Sequence, residues 1–211
     1  MKKIFIYGAG GMGRVVFELL TIINETEHKW NISGYIDDGK KGRTEEGDKI
    51  LGGIKYLEEL KEEIDVVLAI ADSKIKRKIA EILQQYENIS FPRIIHPYAN
   101  ISKNSLIKKG CIVTYGSTVA TKVVLEDFVF VNTASSIGHD SIIGKYTTIM
   151  PAVNISGNCK IGQEVLLGTK ATVIPGKKIG NRATIGVGSV VFRNISNDVT
   201  VLGNPAKVFK F

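Results

Sequence analysis

Residues 137–162 read IGHDSIIGKYTTIMPAVNISGNCKIG, with an isoleucine at Ile137, Ile143, Ile149, Ile155 and Ile161, every sixth position. The phase continues backwards through Val131, Leu125, Val119, Val113 and Ile107 to Ile101, and forwards through Leu167, Val173, Ile179 and Ile185 to Val191. Every stop is aliphatic. A second ladder lies four residues after the first, from Ser105 and Cys111 through Ser135, Ser141, Thr147 and Val153 to Ser189. Its members are small or β-branched except Lys177.

A helix needs a period near 3.6 and a half-buried strand a period of two. Six is the period of a hexapeptide β-helix, whose short strands wind round a triangular prism. Unrelated strands of a sandwich would not hold one phase for so long. Gly144, Gly162 and Gly180 each follow a ladder isoleucine at 18-residue spacing, one full coil in this reading. They are expected to supply turn dihedrals that other residues resist.

The chain before the ladder has another character. KKIFIY (2–7) reads as a strand, GAGGMG (8–13) matches G-x-G-x-x-G, and RVVFELLTII gives a helical stripe at Val15, Leu19, Ile22 and Ile23. Such a turn offers helix N-terminal N–H groups to a phosphate. A second strand over 32–37 ends at Asp37-Asp38, where an acidic residue commonly meets a ribose. A third strand is read over 65–71, then an amphipathic helix capped by Asp72 or Ser73. The fold class is therefore an α/β Rossmann-like βαβ domain over 1–92 followed by a parallel β-helix over 93–211. A full dinucleotide fold has two mononucleotide halves. This segment has room for little more than one, so a nucleotide or nucleotide sugar is expected in place of NAD. The tail after the ladder, NISNDVTVLGNPAKVFKF, is expected to cap the prism.

Charge is unevenly shared. Residues 1–90 carry 14 Lys+Arg against 16 Asp+Glu, and residues 91–211 carry 14 against 5. The basic half has few interleaved aromatics, so it points to a polyanionic small molecule and not to nucleic acid. Cys111 and Cys159 fall on the small-residue ladder and read as buried thiols, not as a disulfide or a metal site. The N-terminal apolar run is too short for export and no run approaches a membrane span, so a cytoplasmic protein without membrane insertion is expected.

Of the histidines, His28 reads as a solvated loop residue and His96, before Pro97, as structural or as lining a cleft. His139 lies two residues after Ile137, near a corner of the prism and pointing outward, with Asp140 beside it. An exposed histidine next to a carboxylate can serve as a general base. A solvated surface histidine fits these residues equally well.

The ordered set GAGGMGRVV, DD, AIADSKIKRKI, IIHPYANIS, NTASSIGHDSIIG and GNPAK resembles a bacterial family of sugar acetyltransferases. It includes UDP-4-amino-sugar N-acetyltransferases and the sialic acid O-acetyltransferase type. The likeness spans nearly the whole chain. It implies a nucleotide-sugar-binding N-terminal domain, a left-handed β-helix, a homotrimer and acetyl-CoA as co-substrate. It also implies acetyl transfer to an amine of a nucleotide-activated sugar. Acetyl transfer to a sugar hydroxyl and a non-catalytic nucleotide-sugar-binding trimer are the alternatives. Residue by residue, the resemblance makes His139 the general base, with Asp140 its carboxylate partner and Asn132 a further member of the catalytic set. It places Gly157, Thr148, Thr169 and Val187 on coenzyme A, the Gly157 N–H against the thioester carbonyl. Gly10, Gly11 and Met12 would receive the nucleotide, with Asp37 and Asp38 on its base or ribose. Met12 and Thr148 stand where the family often has histidine.

Overall fold

The computed structural model describes residues 1–209; Lys210 and Phe211, the end of the expected cap, lie outside the described residues. The chain divides into two compact units, Met1–Ile94 and the chain from Ile95 onward.

The first unit runs β1 (Lys2–Tyr7), α1 (Gly11–Glu27), β2 (Trp30–Ile36), β3 (Gly42–Arg43), β4 (Lys49–Gly52), α2 (Ile54–Glu58), β5 (Ile64–Leu68), α3 (Ser73–Leu83) and β6 (Ile89–Ser90). The sheet order is β3-β4-β2-β1-β5-β6. Its pairings are parallel except β3 with β4. Ile4, Phe5, Ile6 and Tyr7 are all buried, as a central parallel strand covered on both faces requires. The buried stripe of α1 is Val16, Leu19, Leu20 and Ile23, spaced for one helical face. Val15, expected in that stripe, is exposed instead, one position out of phase. Asp72 caps α3, its carboxylate accepting from the Lys74 and Ile75 N–H groups. β2 begins and ends earlier than the sequence suggested, and β5 stops at Leu68 where the chain turns out of the sheet. The buried Asp65 carboxylate is satisfied by Trp30 Nε1 at 2.7 Å and Lys2 Nζ at 2.7 Å.

The second unit is the expected β-helix. Two-residue strands stack in parallel at 18-residue offsets on three faces. The first face carries Phe130–Val131 and Thr148–Ile149, the second Ser136–Ile137 and Asn154–Ile155, the third Ile142–Ile143 and Lys160–Ile161. The first ladder points inward and is buried from Ile107 onward. Inward hydroxyls of the second ladder each donate to a carbonyl 15 residues on: Ser117 to Asn132, Ser135 to Met150 and Thr147 to Gly162. Cys111 and Cys159 take the same place, their thiols reaching the Glu126 and Ile174 carbonyls. Both are free and buried, as expected, and burial pushes the Cys159 thiol up.

The corners correct one expectation. Gly144, Gly162 and Gly180 do not supply left-handed turns. They permit close approach: a Cβ on Gly144 would lie 2.5 Å from the Gly162 carbonyl carbon, and one on Gly162 2.7 Å from the Asn181 nitrogen. The left-handed residue stands two places later in each hexapeptide, and most often it is not glycine. Lys122, Phe128, Ala134, Asp140, Tyr146, Ala152 and Asn158 all have φ between 56° and 61°. Hydrogen bonds between coils hold them there, such as Asp140 N–H to Thr121 O and Asn158 N–H to His139 O.

The tail extends the first face. Thr200–Leu202 pairs in parallel with Thr184–Ile185 and antiparallel with Lys207–Val208, which ends the parallel stack on that face.

Candidate active site

The three faces define three edges. Turns after the second face put His139, Gly157 and Pro175 above one another at 18-residue steps, while the turn after Val190–Val191 is two residues shorter, since Ile195 bridges Ile179. Turns after the first face do the same for Asn132, Met150, Gly168 and Gly186.

On the His139 edge the turn brings two neighbours together. Asp140 sits at φ 59°, a conformation that Asp tolerates better than most residues. From there its Oδ2 lies 2.7 Å from His139 Nδ1. The carboxylate accepts the Nδ1 proton, which leaves Nε2 as the basic nitrogen. The His139 side chain is 63% exposed. Its ring rests on the next coil: a Cβ on Gly157 would lie 2.6 Å from Nε2. Among the described residues the Gly157 N–H donates to no group, while its carbonyl accepts from Gly176 N–H. An open imidazole nitrogen and a free backbone donor thus adjoin on one edge.

Asn132 is not brought to His139 within one chain. It lies on the other edge, its carboxamide oxygen accepting from the Thr133 N–H at 2.8 Å. Thr169 and Val187 share that edge, and Val187 is 68% exposed. Thr148 does not reach any edge. It points out of the first face and has 0% exposure. His96 is buried, its Nδ1 accepting from the Tyr98 N–H at 3.0 Å, a structural role as expected. His28 closes α1 in a left-handed conformation.

In the first unit the glycine turn divides its labour. Gly8 has φ 111°, and a Cβ there would lie 2.6 Å from the Ala69 carbonyl oxygen. Gly13 packs against the Gly8 carbonyl. Gly10 is different: a Cβ there would meet nothing. Gly10, Gly11 and Met12 therefore present the N-terminus of α1, which has no side-chain cap and no acidic residue in its first turn. Asp37 and Asp38 lie at this end of the sheet, line clefts there and also hold the protein's own backbone. Asp37 accepts from the Ala9, Gly39 and Lys40 N–H groups, holding the turn against the end of β2. Asp38 accepts from the Ile54 N–H and from the Tyr7 hydroxyl. Burial and then the Asp38 hydrogen bond push the Tyr7 phenol well above its usual range, so it remains a donor. Tyr7 escaped the sequence reading because its partner is 31 residues away. A cleft beside Ala9 is lined by Arg14, Lys40, Lys41, Arg43 and Glu45, with Arg14 paired to Glu45 and Glu46, and Lys40 Nζ donates to the Ala9 carbonyl at 3.0 Å.

Residues 3–83 match the PglD N-terminal domain family. The chain is 31% identical over 206 residues to GDP-perosamine N-acetyltransferase of Escherichia coli O157:H7, an alignment covering 94% of this chain and 81% of that one. The chain belongs to the bacterial sugar N-acetyltransferases. Members of this family share its whole fold. The acetyltransferase domain of PglB from Neisseria gonorrhoeae FA1090, in complex with acetyl coenzyme A, superposes with TM-score 0.90 at 33% identity over 99% of both chains. PerB from Caulobacter crescentus, in complex with CoA and GDP-perosamine, superposes with TM-score 0.89 at 26% identity, over 100% of this chain and 98% of that one. The β-helix is thus the left-handed hexapeptide form of these acetyltransferases, opposite in hand to the usual crossover.

Proposed function

We propose that the protein transfers the acetyl group of acetyl-CoA to an amine on a nucleotide-activated amino sugar, with His139 as general base. The observation that carries this reading is the His139 imidazole, held through Nδ1 by Asp140 and open at Nε2 beside the free Gly157 N–H. Bound acetyl-CoA supplies an activated acyl carbonyl. The Gly157 N–H would hold the carbonyl oxygen as it gains charge, as an oxyanion-hole donor does. His139 Nε2 would take the proton from the attacking amine, and Asp140 would keep the ring in the one useful tautomer. Neither thiol takes part, since both are buried in the prism.

The residues fit a coenzyme, but on two edges. His139 and Gly157 lie on one edge, Asn132, Thr169 and Val187 on the other. In our reading a homotrimer joins them: the His139 edge of one copy faces the Asn132 edge of the next, and coenzyme A lies between. Thr148 has no part in it. The nucleotide sits at Gly10, Gly11 and Met12, its phosphates at the α1 N-terminus and beside Arg14 and Lys40. Asp37 and Asp38 shape that cleft more than they bind in it. The reaction would take place in the cytoplasm, where acetyl-CoA is made.

A thiol-release assay tests this reading, with acetyl-CoA and a panel of nucleotide-linked 4-amino sugars, free amino sugars and free sialic acid. Turnover on one or more nucleotide-linked amines is the expected result. Turnover confined to sugar hydroxyls would replace it with O-acetyl transfer, and no turnover on any acceptor would overturn it.

A further inference from the structure

The two most exposed aromatic residues among those described stand side by side at the foot of the β-helix. Tyr98 is 74% exposed and Tyr115 57%. Their ring centroids are 6.3 Å apart and their planes meet at 84°. Both rings rest on the ring of His96, with centroids at 5.6 and 5.2 Å. His96 is buried and its Nδ1 accepts from the Tyr98 N–H, so the support beneath the pair is fixed. Large rings left together in water on an ordered base are an informative exception to burial.

The pair lies on the Asn132 edge. The Thr114 and Thr133 hydroxyls are 3.3 Å apart, and Thr133 Oγ1 donates to the Asn132 carboxamide oxygen. Tyr115, next to Thr114, is therefore one 18-residue step below Thr133, about 5 Å along the edge. Tyr98 stands one step lower again, beside Pro97. The positions read for coenzyme A all lie the other way. Gly157 is one step above His139, Thr169 two steps above Thr133 and Val187 three.

We propose that Tyr98 and Tyr115 form the seat for the pyranose ring of the acceptor sugar. The proposal rests on the function proposed above and adds to it where the acceptor lies. Two features support it. One is direction. Coenzyme and acceptor meet at one acyl carbon, and two molecules cannot reach it along the same path. With the coenzyme on the coils above His139, the coils below are left to the acceptor, and there the tyrosines stand on the facing edge. The other is chemistry. The face of an aromatic ring is electron-rich. It attracts the C–H groups that line one side of a pyranose. Small-molecule sites combine such surface with a few placed polar groups, here Asn132 and the His139 of the facing copy. Two rings at 84° make a corner that takes one compact ring.

Steady-state kinetics test this, with acetyl-CoA and with UDP- and GDP-linked 4-amino sugars as acceptors. The variants are Tyr98→Ala, Tyr115→Ala and the double Tyr98→Phe/Tyr115→Phe. We expect each alanine change to raise the acceptor KM on the order of tenfold, with the acetyl-CoA KM unchanged and the wild-type oligomer retained by light scattering. The double phenylalanine variant keeps both ring faces and should hold the acceptor KM near the wild-type value. Calorimetry adds a readout without turnover: the alanine variants should bind the nucleotide sugar more weakly, but the free nucleoside diphosphate as the wild type does. An unchanged acceptor KM in folded alanine variants would overturn the seat and leave the function standing. So would an equal rise in both KM values, or dissociation of the oligomer, which would make the pair a contact between copies. Should Tyr115→Ala fail to fold, Tyr115→Leu, which fills the space without an aromatic face, is judged by the same criterion. A wild type that acetylates none of these amines would overturn the function and the seat with it.

Discussion

The imidazole of His139 fills the space that a side chain at position 157 would need, with Nε2 2.6 Å from where a Gly157 Cβ would stand. Gly157 has no left-handed φ, so its backbone would accept alanine. The three atoms nearest that Cβ all belong to the ring. Gly157→Ala should therefore leave the melting temperature nearly unchanged and swing the imidazole off its position. Misplacing a catalytic group by about 1 Å costs on the order of 10² in rate. Steady-state kinetics beside a thermal melt would check it. Full activity in a folded variant would show that the ring's place over Gly157 does not matter.

The glycine turn makes a second, separable prediction. Gly10 has extended dihedrals and its Cβ direction is empty. Gly10→Val should fold, yet project a branched side chain over the α1 N-terminus and abolish binding of a nucleotide sugar by calorimetry. Gly13→Ala should instead destabilise the first unit, since its Cβ would strike the Gly8 carbonyl. Tight binding of NAD with no nucleotide-sugar binding would refute the assignment of this turn.

A trimer is the third prediction. Asn132 and His139 stand on different edges, so one chain cannot assemble the whole proposed site. Closed cyclic symmetry is the common way to join two such surfaces. Light scattering at micromolar concentration should return three copies. A monomer that turns over at the full rate would contradict the shared site.

Stability should depend on the inner stack. Ile143 is fully buried between Leu125 and Ile161 in register. Ile143→Ala should cost roughly 2–5 kcal/mol of unfolding free energy, the range for deleting a buried aliphatic chain. Ile142→Ala, next along the strand but pointing outward and partly exposed, should cost far less. Equal losses in chemical denaturation would mean that the inward and outward faces had been misassigned.

The prism was legible because its period is a property of the sequence. Ile137, Ile143 and Ile149 announce their faces without any knowledge of partners. The left-handed corners were not legible in the same way. Phe128 and Tyr146 have no intrinsic liking for positive φ, and hydrogen bonds to the coil below impose it. His139 and Asp140 were readable because they are neighbours. The separation of Asn132 from His139 was also present in the arithmetic, since seven residues is not a whole coil. The burial of Thr148 was hidden for another reason: spacing gives the direction of a side chain but not what covers it. The use of Asp37 and Asp38 as backbone clamps was hidden because their donors lie in the first and second β–α turns.

The central claim is that His139 is the base, and it is tested most directly by turnover of His139→Ala at saturating acetyl-CoA and acceptor, with coenzyme A affinity measured on the same preparation. A positioned base contributes on the order of 10² to 10⁴ in rate. The account predicts a loss of that size with coenzyme A affinity nearly intact, and a smaller loss for Asp140→Asn, which keeps a hydrogen-bonding group 2.7 Å from Nδ1 but removes its charge. Near-normal turnover of His139→Ala would contradict it and leave His139 as a solvated residue on the corner of the prism.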